Sequence, residues 1–577
     1  MTEPREQVKQ PRDWRIRRDE IITRPDEVAA AVLSGRAYDP GDLAVFAAPD
    51  YDTLADPMLL SGMEPAVVRI RQAIDGTQRV VVYGDYDIDG ISAVALLLDG
   101  LKQFGADVQS YIPDRFEEGY GLNNEAIQTL KDAGTDLVIT VDCGISSVEQ
   151  VALAAKIGLD LIVTDHHTVP DEPPVGAVVL INPKLPRSKY PFRELAGVGV
   201  AFALIRALQQ AMPTQMPPGQ EKWLLDLVAL GTICDQVPLV GENWLMARYG
   251  IEVLRKTRRP GLRALMAAAG TQPDLLDEGA IGFRLGPRLN AAGRIEHANL
   301  ALRLLTTTSP IEARRVAEQL NLLNQDRQRQ TQTIYDEALA RAREQDQPVV
   351  VLADPSWSHG IVGIVASRVS ETLHKPTILF QVEGEGESAV LRGSARSVGD
   401  FDIIAAITVG REYLQRFGGH QFAAGMTLQA SKLDDFHQVL NRQYEQASNT
   451  DRPPLEIDAQ LAAELLSDVE AVQALDALRP FGKTHPQPLF MSRLRLAFAR
   501  PVGDKQQHIR LGFEAPDSGS VSSKQRPISA IYFGGTEAMA DFAPGDDLEV
   551  VYNLEINHWQ DRHEPQLVIT SSPHYVS

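Results

Sequence analysis

Hydrophobic positions along the chain follow two alternating rhythms. Arg79-Val80-Val81-Val82-Tyr83 is a short β-branched run ending at Gly84-Asp85, and the apolar stretch from Ile91 to Gly105 reads as a helix. Strand-like runs recur at Leu137-Val138-Ile139-Thr140-Val141 and Leu161-Ile162-Val163-Thr164, each followed by a polar turn. This alternation predicts an α/β fold on a mostly parallel sheet, with any ligand at the carboxyl ends of the strands. A charged stretch from Ile311 to Gln345, rich in Glu, Arg, Gln and Ala, predicts one long connecting helix, and Pro348-Val349-Val350-Val351-Leu352 opens a second α/β unit. Pro453-Pro454 mark another boundary, after which Pro527 to Phe533 and Leu548 to Tyr552 alternate in the manner of a small β-barrel. Residues 1–50 carry few periodic apolar positions and read as a loosely packed N-terminal extension.

Composition narrows the class. A chain of 577 residues exceeds one hydrophobic core, since cores stop growing at roughly 250–300 residues, and three domains are expected. No apolar run approaches the ~20 residues of a membrane span, and the charged first twenty residues lack a secretory signal, so a cytoplasmic protein is expected. The only two cysteines, Cys143 and Cys234, cannot make a disulfide framework and lack CxxC spacing; each adjoins an aspartate, but small buried residues explain them more simply than metal ligands do. The net charge of −21 argues against a protein coated with nucleic acid. One local exception is the segment 241–303, with ten Lys/Arg against six Asp/Glu, which reads as a DNA groove or as a solvated helix face.

The candidate chemistry lies where the strands end. Asp85, Asp87 and Asp89 occupy alternate positions in Gly84-Asp85-Tyr86-Asp87-Ile88-Asp89-Gly90, and hard divalent cations prefer such oxygen ligands. An EF-hand is rejected because the acid expected six positions after the glycine is Leu96. Asp142 follows the next strand, Asp165-His166-His167 the one after, and Asp235 follows the apolar stretch Trp223 to Leu230. A lone aspartate at a strand end is often a turn former, whereas several acids with adjacent histidines suit two Mn²⁺ or Mg²⁺ ions clamping a phosphoryl transfer. Residue chemistry alone reaches a metallophosphoesterase and leaves the substrate open.

In type and order these motifs resemble the DHH phosphoesterase superfamily. Asp114 to Leu122, Leu195 to Ala201, Gly286-Pro287-Arg288-Leu289-Asn290-Ala291-Ala292-Gly293-Arg294, Ser358 to Ala366, Gly393 to Ser397 and Phe417-Gly418-Gly419-His420 resemble its RecJ-type exonuclease branch, over nearly the whole chain after residue 50. The resemblance implies a DHH domain over 51–310, a connecting helix over 311–345, a DHH-associated domain over 346–450 and an oligonucleotide-binding (OB) barrel over 451–577. It also implies a metal-dependent exonuclease that degrades single-stranded DNA from the 5′ end, with metal ligands drawn from Asp85, Asp87, Asp89, Asp142, His166, His167 and Asp235. Smaller DHH enzymes place a histidine where this chain has Tyr83, which leaves Asp85 to serve instead.

By the same resemblance Ser394 and Arg396 hold the 5′-terminal phosphate, Arg288, Asn290 and Arg294 contact the scissile or adjacent phosphate, Arg115 and Tyr120 guide the strand, and His359 and His420 face the metal cleft. For each arginine a structural ion pair is the plain alternative, and for each histidine a satisfied core position. A DNA helicase and a single-strand-binding protein are the expected partners, with no membrane. The rivals are a DHH phosphatase or oligonucleotidase acting on small nucleotides, and a non-catalytic helicase-associated module.

Overall fold

The computed structural model describes residues 13–115, 118–119, 121–447, 453–503, 506–516, 526–559 and 562–576. The chain divides into two compact units, one formed by residues 38–325 with 478–487, the other by the described residues up to 37, 326–477 and from 488 onward.

The first unit is built on five parallel strands in the order Asp107–Tyr111, Arg79–Gly84, Leu137–Val141, Asp160–Thr164, Val179–Ile181. Apart from Arg79, every residue of Arg79–Gly84 and Leu137–Val141 is buried, which explains why these strands read as continuous apolar runs instead of alternating ones. The helix Ile88–Gln103 is apolar on nearly all sides because it packs against the sheet and against helices Gly197–Ala211 and Leu225–Asp235. Asp87 caps that helix by accepting from Gly90 N at 3.1 Å. Taken in chain order the strands lie 2-1-3-4-5, so the order reverses between Arg79–Gly84 and Leu137–Val141. Such a switch point opens a crevice at the carboxyl edge, and Asp85 and Asp142 stand on its two sides.

In the second unit, strands Leu414–His420, Ala423–Gln429, Val390–Arg396, Thr377–Glu383 and Val350–Asp354 form one sheet, antiparallel except for the last pair. Phe490–Val502, His508–Glu514, Ile528–Tyr532, Arg562–Ile569 and Asp547–Trp559 close into a five-stranded barrel through the pairing of Phe490–Val502 with Asp547–Trp559. The long helix expected over 311–345 runs from Pro310 to Glu344.

Over residues 13–50 the N-terminal segment departs from the loose extension expected of residues 1–50, the first twelve of which lie outside the described residues. Trp14–Ile16 pairs in parallel with Leu455–Ile457, and Ile21–Ile22 pairs with Ala459–Leu461. The Trp14 ring stacks on His574 at 3.7 Å, and Arg36 forks onto Asp458 with two bonds of 2.8 Å. Backbone ladders and single anchoring side chains need no apolar period, so pattern reading does not see them.

Candidate metal centre

Strand ends and helix starts of the first unit aim six side chains at one place. Asp142 stands in the left-handed backbone region, with φ of 59°, a conformation that aspartate tolerates better than bulky residues do. His166 Nε2 lies 3.0 Å from Asp142 Oδ1, 3.8 Å from Asp235 Oδ2 and 3.9 Å from Asp89 Oδ2. Three sets have ligand atoms close enough to share a cation: Asp142, His166 and His167; Asp89, His166 and Asp235; Asp85, Asp87 and Asp142. Asp142 and His166 each belong to two sets, the arrangement expected of groups shared between adjacent ions. Asp235 closes the cluster from the C-terminal end of helix Leu225–Asp235, where Gln236 takes the left-handed conformation that ends the helix.

Charge in this cluster is only partly compensated by the protein. Burial first, and neighbouring carboxylates second, hold Asp85, Asp89 and Asp142 well above the ordinary carboxylate range. Burial and Asp87 push Asp235 up to about 6. Burial and the neighbouring His167 bring His166 down to about 3, which leaves a neutral imidazole able to ligate. Asp85 Oδ1 is buried without a hydrogen-bond partner. Clustered acids, a neutral imidazole and an orphaned oxygen fit divalent cations of the Mn²⁺ or Mg²⁺ kind.

A testable linkage follows. Carboxylates with raised pKa in the folded state hold extra protons there, so their contribution to stability falls as pH rises from about 4, and for Asp235 the fall runs to about 6. A cation takes the place of those protons. The stabilisation that saturating Mn²⁺ gives in thermal melts is therefore expected to grow between pH 5 and 7; an increment flat across that range would contradict the charge assignment.

Three residues to which the sequence assigned no role shape the site. Asp165 accepts from the backbone N–H of Ile145, His166 and His167, and its Oδ1 lies 2.8 Å from His167 Nδ1. Although burial opposes ionisation, these bonds hold its carboxyl below the ordinary range; despite burial, they and the charges of Asp165, Asp235 and Asp87 bring His167 up to about 9. Asp165 therefore orients the histidine pair. Gly197 donates to Asp89 Oδ2 at 2.6 Å, and a Cβ there would stand 2.9 Å from Asp142 Oδ1, so only glycine lets this helix start approach both carboxylates. Tyr86 lies under the Arg115 guanidinium, 5.0 Å from ring centroid to Cζ. The tract Leu195 to Ala201 signalled Gly197, and the DHH triplet signalled Asp165 without its role.

Among the expected substrate residues, Arg115 and Arg294 both act electrostatically on Tyr86, in the loop that carries Asp85 and Asp87. Asn290 is half-buried on helix Gly286–Ile295. Arg288 is engaged within the protein, donating to Asn321 Oδ1 at 3.0 Å and to Arg284 O at 2.6 Å. Tyr120 lies outside the described residues. Much of the basic segment 241–303 is structural: Arg248, Arg255 and Arg263 donate to backbone carbonyls, and Arg259 is held by Asp226 and Asp99. Cys143 packs in the sheet core beside Tyr83, whose hydroxyl donates to Gly121 O.

The remaining expected residues lie in the second unit. Arg396 donates to Ser394 Oγ and to Ala395 O, both at 2.8 Å, and a Cβ at Gly363 would approach its Nη2 to 3.2 Å. Arg396 and His420 are both opposite Ala423 on its two neighbouring strands, so their side chains share one face of the sheet. His420 is exposed, whereas His359 begins helix His359–Leu373 and donates its backbone N–H to Gln381.

Acids and imidazoles gathered at the switch point of a parallel sheet define a metal-dependent phosphoesterase, and residues 79–232 match the DHH family, N-terminal domain. Residues 346–446 match the DHHA1 domain and residues 457–571 the RecJ OB domain. The chain belongs to the RecJ family of single-stranded-DNA-specific exonucleases. It is 37% identical over 552 residues to the single-stranded-DNA-specific exonuclease RecJ of Bacillus subtilis, covering 94% of this chain and 67% of the relative. It is 35% identical to the RecJ exonuclease of Salmonella typhimurium, covering 88% and 90%. The crystal structure of RecJ in complex with Mn²⁺ from Thermus thermophilus superimposes with a TM-score of 0.77 at 28% identity, covering 98% of this chain and 80% of that one.

Proposed function

We propose that this chain is a cytoplasmic, metal-dependent exonuclease that hydrolyses single-stranded DNA from its 5′ end to mononucleotides, in recombination and repair. The observation that carries the reading is the shared position of Asp142 and His166 between adjacent ligand sets, in a chain of this family. Two divalent cations, when bound, would polarise the scissile phosphate and activate a water. Asp85, Asp87, Asp89, Asp142, His166 and Asp235 hold them, Asp165 fixes His167 beside them, and the neutral His166 supplies nitrogen ligation. Arg115 and Arg294 steady a phosphate by charge, with Asn290 and Arg288 along the strand. A duplex becomes substrate only once its strands part, which makes a helicase and a single-strand-binding protein the partners this reading calls for.

The experiment is incubation of 5′- and 3′-labelled single strands, duplexes and a dinucleotide with Mn²⁺ or Mg²⁺, with products resolved by length. Mononucleotides released stepwise from the 5′ end of single strands are expected. Release from the dinucleotide alone would favour the small-nucleotide phosphatase, and strand binding without release the non-catalytic module.

Ser394, Arg396 and His420 offer a polar face for the 5′ end, with a guanidinium able to grip phosphate bidentately. Arg396→Ala is expected to lower kcat/KM on 5′-phosphorylated strands by roughly 10–100-fold, the scale of one charge-assisted hydrogen bond, and to shrink the preference over 5′-hydroxyl strands. Equal losses on both ends would assign Arg396 to the fold.

A further inference from the structure

We propose that Lys184 and Lys483 form a second phosphate-gripping pair on the Asp235 side of the metal centre, contacting the backbone phosphate of single-stranded DNA next to the scissile one. The inference rests on the nuclease reading above and adds residues to it.

The need for such a pair is a matter of charge. Five carboxylates, from Asp85, Asp87, Asp89, Asp142 and Asp235, face the centre. Against the four positive charges of two divalent cations they leave one negative charge, which repels a phosphodiester unless the rim is cationic. On the Asp85 side Arg115 supplies that charge, its guanidinium lying over the ring of Tyr86, the residue after Asp85. The Asp235 side has two lysines from distant parts of the chain. The Lys483 backbone is bonded to the segment that follows Asp235, and the Lys184 backbone to the loop of the DHH triplet.

Each lysine is carried on backbone tied to the ligand loops. Asn182 donates from Nδ2 to His167 O at 2.9 Å, and its Oδ1 accepts from Lys184 N at 2.8 Å, so Lys184 is indexed to the DHH triplet. Lys483 sits in the segment 478–487, which belongs to the metal-bearing unit although its flanks do not. Its carbonyl accepts from Leu239 N at 2.8 Å, four residues beyond Asp235. The Lys483 side chain is exposed, and Lys184 is about a quarter exposed with Glu194 at 3.5 Å. A surface pair of that kind is weak and readily exchanged for a phosphate. Among the described residues neither ammonium has a buried structural partner, in contrast to Arg259.

The test measures binding as well as rate. A 5′-phosphorylated oligothymidylate is titrated with metal-free protein in EDTA by fluorescence anisotropy across a salt series, and kcat/KM is measured with Mn²⁺. Neutralising one phosphate of a single strand contributes about 0.7 to the slope of log Kd against log salt, so the Lys184→Ala/Lys483→Ala double variant, which frees that one phosphate, should flatten it by about 0.7. Lys184→Arg and Lys483→Arg should keep the slope, and metal content should not change. An unchanged slope in the double variant overturns the proposal. So does uniform weakening at every salt concentration, the mark of a structural defect. Wild-type protein that binds the strand with lysine-dependent slope yet releases no nucleotide would instead sink the nuclease reading.

Discussion

Asp142→Ala is expected to lower kcat on single-stranded DNA by at least about 10²–10³-fold, the scale of losing one group that stabilises transition-state charge, and with it the bound metal. Its position explains why it should outweigh the ligands that belong to a single set. It stands at the switch point, 3.0 Å from His166, and belongs to two of the three ligand sets. Loss of a shared ligand weakens both ions together. The same substitution should spare the fold. Burial and the charges of Asp89, Asp87 and Asp85 make an ionised Asp142 unfavourable in metal-free protein, so removing the carboxylate relieves repulsion. Asp142→Asn is the companion variant, because asparagine tolerates the left-handed backbone at φ of 59°. For both variants, metal-free melting temperatures at or above wild type are expected, with Mn²⁺-induced stabilisation reduced. Activity within tenfold of wild type at unchanged metal content would remove Asp142 from the centre.

How much of this centre the sequence exposes depends on whether burial or pairing does the work. Strands buried on both faces write themselves as apolar runs, so Arg79–Gly84, Leu137–Val141 and Asp160–Thr164 and the acids after them were legible. The long helix was legible because thirty-five residues of helix formers contain no internal glycine or proline after Pro310. What the pattern does not carry is who holds whom. The grip of Gly197 on Asp89 joins residues 108 apart, and the tie between Leu239 and Lys483 is a single backbone bond; neither leaves a periodic trace. Arg288 adds a tie of the same kind, since this motif arginine also donates to Asn321 Oδ1 and Arg284 O. The aromatic residues of the barrel divide between core and surface: Phe490, Phe513, Tyr532 and Tyr552 are buried whereas Phe533 is exposed.

The N-terminal segment supplies the second large effect. Arg36→Ala should destabilise the barrel-bearing unit by about 3–5 kcal/mol, the cost of leaving a buried charge without its partner. Arg36 and Asp458 side chains are 7% and 5% exposed, joined by two bonds of 2.8 Å. Asp458 lies between strands Leu455–Ile457 and Ala459–Leu461, and it also accepts from Leu489 N at 3.0 Å, at the entrance to the barrel strand Phe490–Val502. Removing the guanidinium therefore leaves that carboxylate with the Leu489 N–H and with Arg17 Nε at 3.9 Å, at the point where the N-terminal strands, the linking strands and the barrel meet. Because a chain of two compact units need not melt in one step, hydrogen exchange of residues 455–461 is a better readout than a single melting temperature. Faster exchange there is expected, with Mn²⁺ affinity unchanged, since the proposed ligands all belong to the other unit. The double variant Arg36→Met/Asp458→Leu removes both charges and should recover much of the loss. If Arg36→Ala leaves exchange across residues 455–461 at the wild-type rate, the ion pair contributes nothing to holding the segment, and the backbone ladders alone must do so.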